Sequence, residues 1–289
     1  MNALIYHLGR MVIVFIQWLP LRVVARLGRA GGGLAYHLDA RHRRVAEKNL
    51  AMCFGCEKSP AEIAAIAREN FRRIGENYAS AVKTAGMSFE QLKPHLEFAG
   101  FEKLPTAGDD GRARNIVAAI GHFGNFELYA RIQDIRPDLR GATTYRGLKP
   151  PGVDRLMQSL RGANGCRFFE RRGGSAGLRE LMNHGGSIVG LLTDQHSLGF
   201  RAPFLGHDCH TNLAAAVLAL RYDCHLYSII CHRVGLAQWR LEVGEQIQTH
   251  LNGLARTSAD IMRDVNLALE AAVRRDPANW FWVHRRWKN

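Results

Sequence analysis

One histidine and one glutamate stand where a predicted buried strand passes into a predicted helix. The segment is VAAIGHFGNFELYARI, Val117–Ile132, with His122 after the strand and Glu127 at the start of the helix. Strand ends of α/β sheets commonly carry ligand-binding groups, and Gly121 and Gly124 allow a sharp turn and a close approach of substrate. We predict that the Glu127 carboxylate fixes the imidazole tautomer, so that the other ring nitrogen can remove a proton from a hydroxyl.

Two alternatives stay open at this point. In a structural role, Glu127 complements the helix dipole and His122 caps the first turn. In a hydrolase, Gly173–Gly177, GGSAG, would be a G-x-S-x-G nucleophile elbow with Ser175 as the nucleophile. Charged residues precede this pattern where an elbow requires an apolar strand, and Ser175 is also a good helix N-cap.

The protein is strongly basic. Its 289 residues include 39 Lys and Arg against 26 Asp and Glu, a formal net charge of +13, which favours an anionic partner. No zinc-finger, RNP-like or heptad-linked basic motif supports nucleic acid, so we predict a lipid or an acidic protein. A basic membrane-binding protein without catalysis is the remaining alternative. The six cysteines include one C-x-x-C, Cys53 to Cys56, without a second ligand pair, which predicts neither a metal site nor a disulfide scaffold.

The N-terminal segment is apolar and is flanked by arginines. MVIVFIQWLPL, Met11–Leu21, has eleven residues between Arg10 and Arg22, whereas a spanning helix needs about 20. The first acidic residue is Asp39. The pattern predicts a helix lying in the membrane interface with cationic anchors, with a core helix as the alternative. We therefore expect 1–37 to be a membrane-associating helical segment, attached peripherally or anchored at its N-terminus.

Strands and helices alternate along the rest of the chain. Ser59–Glu62 is a capping box that begins a helix to about Lys83, within a helical lead-in over 38–105, and 105–114 is a polar loop. The predicted strands are Asn115–Ile120, Ala142–Arg146, Cys166–Glu170, Ser187–Leu192, Cys224–Arg233 and Trp239–Val243; the predicted helices are Phe126–Arg136, Val153–Arg161, Ser175–Asn183, Leu213–Arg221 and Ala259–Arg274. This order predicts an α/β fold, an αβα sandwich around a mixed or parallel sheet, in one domain over 38–289.

Four motifs, in order, resemble those of one enzyme family. GHFGNFE (Gly121–Glu127) is similar to the H-x4-D/E motif of the lysophospholipid acyltransferase superfamily, and in particular of the bacterial lipid A biosynthesis acyltransferases. TYRGLK (Thr144–Lys149) and GGSIVGLLTDQHSLGFRAPFLG (Gly185–Gly206) resemble that family's Tyr-Arg segment and its strand with an Asp-Gln turn. DPANWFWVHRRWK (Asp276–Lys288) resembles its C-terminal ending. Order and spacing agree from about Leu19 to the last residue.

The resemblance implies a membrane-associated O-acyltransferase at the cytoplasmic face of the bacterial inner membrane. His122 would be the general base on a hydroxyl of a lipid A precursor or related glycolipid, with Glu127 as its partner. The acyl chain would pass directly from an acyl carrier protein or CoA thioester, with no cofactor. A lysophospholipid or another glycolipid is the alternative acceptor.

Five further residues are candidates for substrate binding. Guanidinium groups match the geometry of phosphate, and an aspartate after an apolar strand can position a loop or bind substrate, or simply form a turn. These candidates are Asn125, Arg146, Arg171, Arg172 and Asp194.

Overall fold

The computed structural model describes residues 2–106, 114–162 and 165–288, with side chains from residue 6 onward. Most of the predicted loop at 105–114 lies outside these residues. The chain begins with helices α1 (Asn2–Trp18), α2 (Leu21–Leu38), α3 (Ala40–Phe54) and α4 (Pro60–Ala85). The predicted capping box is confirmed, because the Ser59 hydroxyl accepts from the Glu62 N–H while the Glu62 carboxylate accepts from the Ser59 N–H. Of the helices in the described ranges, none has both the length and the apolarity to cross a membrane.

A seven-stranded, mostly parallel sheet forms the centre of the protein and confirms the predicted α/β fold. In order across the sheet the strands are β1-β9-β8-β2-β5-β3-β4, and the β8–β9 pair is antiparallel. Two small hairpins, β6–β7 and β10–β11, lie outside it. The strands are β1 (Leu96–Ala99), β2 (Ile116–Ile120), β3 (Arg140–Tyr145), β4 (Arg167–Glu170), β5 (Ser187–Leu192), β6 (Phe200–Phe204), β7 (His207–Thr211), β8 (His225–Gly235), β9 (Gln238–Ile247), β10 (His250–Leu251) and β11 (Leu254–Ala255).

The central strands are buried on both faces, as their continuous apolar sequences require. Successive side chains alternate between faces, so Val117 and Ala119 of β2 join one core cluster. Ile116, Ala118 and Ile120 join another. The first face packs against α3, α4, the C-terminal tryptophans and the helices α8 (Ser175–Asn183), α9 (Ala214–Arg221) and α10 (Ser258–Arg275). The second face bounds the cavity described below.

The helix predicted over Phe126–Arg136 differs in kind from the observed one. Phe126–Arg131 winds as a 3-10 helix, and only Ile132–Ile135, α6, is α-helical. The Arg131 side chain is buried and donates to the carbonyls of Thr84 and Met87, which ties this segment to the end of α4. The other helices are α5 (Phe89–Leu92) and α7 (Pro151–Arg161).

A buried carboxylate joins the N-terminal helices to the sheet. The Glu76 side chain on α4 is fully buried and accepts from Arg29 of α2, from Arg233 of β8 and from the Ala237 N–H. The helices α2 and α4 approach closely enough for this, since a Cβ on Gly32 would lie 2.1 Å from the Phe71 carbonyl oxygen. Glu76 therefore fixes the N-terminal helices to the β8–β9 turn.

Replacing Glu76 should destabilise the whole protein. Glu76→Gln leaves two partly buried guanidinium groups without their shared counter-ion, so we expect the free energy of unfolding to fall by about 3 kcal/mol in urea titrations. The matched control is Glu57→Gln, because Glu57 pairs with Arg274 on the surface and such pairs contribute less than about 1 kcal/mol. Equal effects of the two substitutions would contradict the structural role given to Glu76.

Candidate active site

The site begins at the carboxyl end of β2, where the chain turns sharply after Ile120. Gly124 has φ of +50°, and a Cβ there would lie 2.6 Å from the Cys231 carbonyl oxygen, so the position requires glycine. The turn is held by the C-terminal segment through the Gly124 N–H, which donates to the Asn279 carbonyl. His122 is thereby presented at the strand end, with 13% of its side chain exposed.

Asp194 is the hydrogen-bond partner of the imidazole. β2 and β5 are parallel neighbours with Ile120 opposite Leu192, so residues two positions after each strand lie side by side. The His122 Nδ1 lies 2.8 Å from Asp194 Oδ1, and the His122 backbone N–H donates to Oδ2 at 2.8 Å. The Trp280 indole N–H also donates to Oδ2 at 2.8 Å. Asp194, which was predicted to bind substrate, therefore contacts the Nδ1 side of the His122 ring.

This arrangement keeps Asp194 ionised and determines the tautomer of the imidazole. Burial by itself would raise the pKa of Asp194, but the charge of His122 and the hydrogen bonds from His122 and Trp280 outweigh it, so this pKa lies below its usual 3.8. An ionised carboxylate only accepts, so in the neutral ring the proton is on His122 Nδ1 and Nε2 keeps a lone pair. The His122 Nε2 lies 3.3 Å from the side-chain amide nitrogen of Gln195, and both residues line the main cavity.

Glu127 contacts an arginine, and the prediction that it binds the imidazole is wrong for this structure. Its carboxylate accepts from Arg161 of α7, through Nε at 3.0 Å and through Nη2 at 2.5 Å. The 3-10 winding after Asn125 turns Glu127 toward α7, while the sheet register has already placed Asp194 at Nδ1. Both Glu127 and Arg161 line the main cavity.

The C-terminal segment closes the back of the site. Asn70 of α4 donates to the carbonyls of Ala278 and Trp280, and Asn49 of α3 donates to those of Trp282 and His284. The fully buried Arg286 donates to the Gln195 carbonyl. These contacts set the Trp280 indole against Asp194 and hold the loop after it.

A cavity of about 770 Å³ extends from His122 along the second face of the sheet. Its wall includes Ile188, Gly190 and Leu192 on β5 and Ala118 and Ile120 on β2, together with apolar residues of the covering elements. Ile188 and Leu192 are four residues apart, about 13 Å along a strand. The wall of the cavity is therefore mainly apolar along the sheet, with His122 among its polar residues, and this cavity is called the channel below.

The remaining candidate residues are spread over different surroundings. Asn125 is buried, with its amide toward the Thr84 hydroxyl at 3.4 Å, and it is not among the residues of the cavity wall. Arg146 and Arg171 are exposed residues on the cavity rim, whereas Arg172 is exposed outside it. Ser175 is exposed at the start of α8 with Gly174 as N-cap, away from the cavity, which removes the structural basis for the nucleophile elbow.

Arg161 and Trp280 are site residues that sequence reasoning missed. Asp194 was predicted to bind substrate, whereas in the structure it is the hydrogen-bond partner of His122. The order of strands in the sheet would have placed Asp194 beside His122, since carboxyl ends of neighbouring parallel strands meet at one edge. Arg161 carries no such local signal. Within the described residues, no group of three or more His, Cys, Asp or Glu side chains is arranged to hold a metal ion.

Comparison with known proteins gives matches over the full length. The profile described as "Bacterial lipid A biosynthesis acyltransferase" matches residues 1–289. The chain is similar to the "Lipid A biosynthesis lauroyltransferase" of Escherichia coli (strain K12), with 24% identity over 292 aligned residues that cover 97% of this chain and 90% of that protein. The match spans every element that holds the site.

Proposed function

The chain belongs to the bacterial lipid A biosynthesis acyltransferases, as its four motifs predicted, and is an acyltransferase of lipid A biosynthesis; we propose that it moves a fatty acyl chain from a thioester to a hydroxyl of a lipid A precursor, with His122 as the general base. The hydrogen bond from His122 Nδ1 to the buried Asp194 carries this proposal. It leaves Nε2 as the nitrogen that can accept a proton, on a residue of the channel wall.

The reaction follows from the two ring nitrogens. The acceptor hydroxyl displaces the Gln195 amide and gives its proton to His122 Nε2, while Asp194 stabilises the imidazolium that forms. The oxygen attacks the thioester carbonyl, the carbon–sulfur bond breaks, and the leaving thiolate takes the proton from the imidazolium. No acyl-enzyme forms, and the chemistry uses no cofactor.

Glu127 acts on the substrate side in this proposal. Its two contacts hold the Arg161 guanidinium on the cavity wall, where a guanidinium can bind phosphate. The exposed Arg146 and Arg171 add positive charge at the rim, and Arg172 extends it. A net charge of +13 suits both anionic lipid A precursors and acidic acyl carrier proteins; CoA is the alternative donor.

The channel is the proposed acyl-chain site, and Gly190 is expected to set chain length. A Cβ on Gly190 would lie 3.3 Å from the Ile120 side chain, so Gly190→Val fills part of the channel. We expect transfer of a myristoyl chain to fall roughly 10-fold relative to a decanoyl chain, measured by competition between the two thioesters. Gly173→Val is the matched control, since a Cβ there meets no atom within 4 Å. An unchanged ratio in Gly190→Val would place the acyl chain elsewhere.

Helix α1 is the proposed membrane contact. Phe15 and Trp18 are 60% and 80% exposed, Arg10 and Arg22 are exposed beside them, and an amphipathic surface of this kind binds at the lipid interface. Gly9 of α1 packs against Leu156 of α7, and α7 carries Arg161 of the cavity wall. The lipid acceptor would therefore meet the cavity beside the cytoplasmic membrane surface.

Removing the aromatic side chains of α1 should weaken membrane binding. For Phe15→Ser with Trp18→Ser we expect binding to phosphatidylethanolamine–phosphatidylglycerol vesicles to fall roughly 10²–10⁴-fold, since each buried aromatic contributes roughly 1.5–3 kcal/mol. Sedimentation with vesicles measures this. Leu251→Ser with Leu254→Ser is the control, because these side chains are also exposed, on the β10–β11 hairpin. Equal loss in both variants would argue against α1 as the membrane contact.

The function is tested by product mass. Purified protein and its His122→Ala variant are incubated with lauroyl-acyl carrier protein and a lipid A precursor bearing a free secondary hydroxyl. A mass gain of one acyl chain with the unaltered protein alone is the expected result. Transfer only to a lysophospholipid in a parallel reaction would show that a lysophospholipid, and not a lipid A precursor, is the acceptor. The absence of transfer from both acyl carrier protein and CoA thioesters would overturn the proposal.

A further inference from the structure

A second histidine, His284, lies on the wall of the same cavity as His122. Its backbone is fixed on two sides, since its N–H donates to the Phe281 carbonyl and its own carbonyl accepts from Asn49. The Phe281 ring centroid lies 5.8 Å from that of His122. The C-terminal turn therefore fixes His284 on the wall of the cavity that His122 also lines.

The tautomer of His284 is determined by a backbone contact. The His196 N–H donates to His284 Nε2 at 3.0 Å, and a ring nitrogen that accepts cannot carry a proton. In the neutral ring the proton is then on Nδ1. No residue in the described ranges is hydrogen-bonded to this Nδ1, so a residue of the cavity wall has an N–H donor without a protein partner.

The ring is also uncharged. Burial is the main cause that lowers the pKa of His284 to about 4, and the charges of His122, Arg286 and His196 lower it further, against an opposing contribution from Asp194. Above that pH, His284 donates a hydrogen bond without bringing a positive charge. A neutral donor binds an uncharged carbonyl weakly and gains strength as the oxygen becomes negative.

We propose that the His284 Nδ1–H donates to the carbonyl oxygen of the acyl thioester and stabilises the oxyanion that forms when the hydroxyl attacks. This inference rests on the proposed acyl transfer. In the addition step the proton moves from the hydroxyl to His122 and the carbonyl electron pair moves onto oxygen. Collapse of the intermediate expels the thiolate, which His122 protonates, and His284 keeps its own proton throughout.

If His284 only supported the loop at His196, its accepting Nε2 would be sufficient and the Nδ1–H donor would not be needed. Two nearly isosteric substitutions separate these roles. In His284→Gln the amide oxygen can accept from the His196 N–H while the NH2 group donates. In His284→Glu the carboxylate can accept but has no donor, and His284→Leu, which has neither group and no charge, controls for the added carboxylate.

The experiment measures kcat and KM for acyl transfer with each folded variant, together with their melting temperatures. We expect kcat to fall roughly 10²–10³-fold in His284→Glu and His284→Leu, with KM changing little, and to fall less than about 10-fold in His284→Gln. Equal kcat in the Glu and Gln variants, or losses that follow melting temperature, would overturn the proposal.

Nitrogen-15 NMR of the unaltered protein gives a readout that does not depend on activity. Long-range correlation spectra should show His284 protonated at Nδ1 and bare at Nε2 at neutral pH. Protonation at Nε2 would overturn the inference. If the unaltered protein and its His284→Glu variant transfer acyl chains equally well, this inference alone is overturned. If the unaltered protein transfers no acyl chain, the proposed function is overturned as well.

Discussion

Asp194→Asn is expected to lower kcat for acyl transfer by roughly 10³–10⁴-fold while the fold is kept, as for the equivalent change in serine-protease triads. Three N–H groups converge on the carboxylate, two of them on Oδ2, from the His122 backbone and the Trp280 indole. An asparagine therefore places its oxygen at that position and its NH2 group against His122 Nδ1. The proton must then move to Nε2, which removes the lone pair that accepts the substrate proton.

The measurement is kcat together with the NMR tautomer of His122. Asp208→Asn is the matched control, since Asp208 is exposed on β7, and it should leave kcat within about 2-fold. In the unaltered protein the carboxylate is ionised throughout the neutral range, because the pKa of Asp194 lies below its usual value. An asparagine cannot ionise, so raising the pH within that range should not restore activity to the variant. Full activity with Nε2 protonated would show that His122 is not the base.

His122→Gln is expected to lower kcat by about 10⁴-fold, because the amide of glutamine cannot take up the proton of the acceptor hydroxyl. The amide is polar and of similar size, so KM should change little and the melting temperature should be kept. Rapid-quench measurement of a single turnover distinguishes loss of chemistry from slow product release. His250→Gln on the exposed β10 strand is the control.

The double variant tests whether the two residues act as a unit. If Asp194 works only through the imidazole, His122→Gln with Asp194→Asn should be no slower than His122→Gln alone. Multiplied effects would show that Asp194 contributes by another route. In the double variant His122→Gln with Glu127→Gln, by contrast, the two fold-losses in kcat should multiply. The reason is that Glu127 contacts Arg161 and not the imidazole ring.

Much of the fold was predictable because its signals are local. Continuous apolar runs predicted β2, β5 and β8, and the capping box predicted the start of α4. The alternation of strands and helices along the chain predicted the α/β class. The missed strands, such as β1 and β6, are short or half-exposed and lack such runs. The helix after His122 was mistaken in kind, since its sequence periodicity does not show the contacts that the buried Arg131 makes with the carbonyls of Thr84 and Met87.

The sequence by itself determined the family, through four ordered motifs, and it placed His122 at a strand end. It could not determine which carboxylate serves the imidazole, because Glu127 and Asp194 both follow strands and only Glu127 is near in the chain. Tertiary structure decided this through the parallel pairing of β2 with β5, which places residues 72 positions apart within 2.8 Å. Strand order is a long-range property of the whole sheet, and for that reason the hydrogen-bond partner of His122 was visible only in the folded protein.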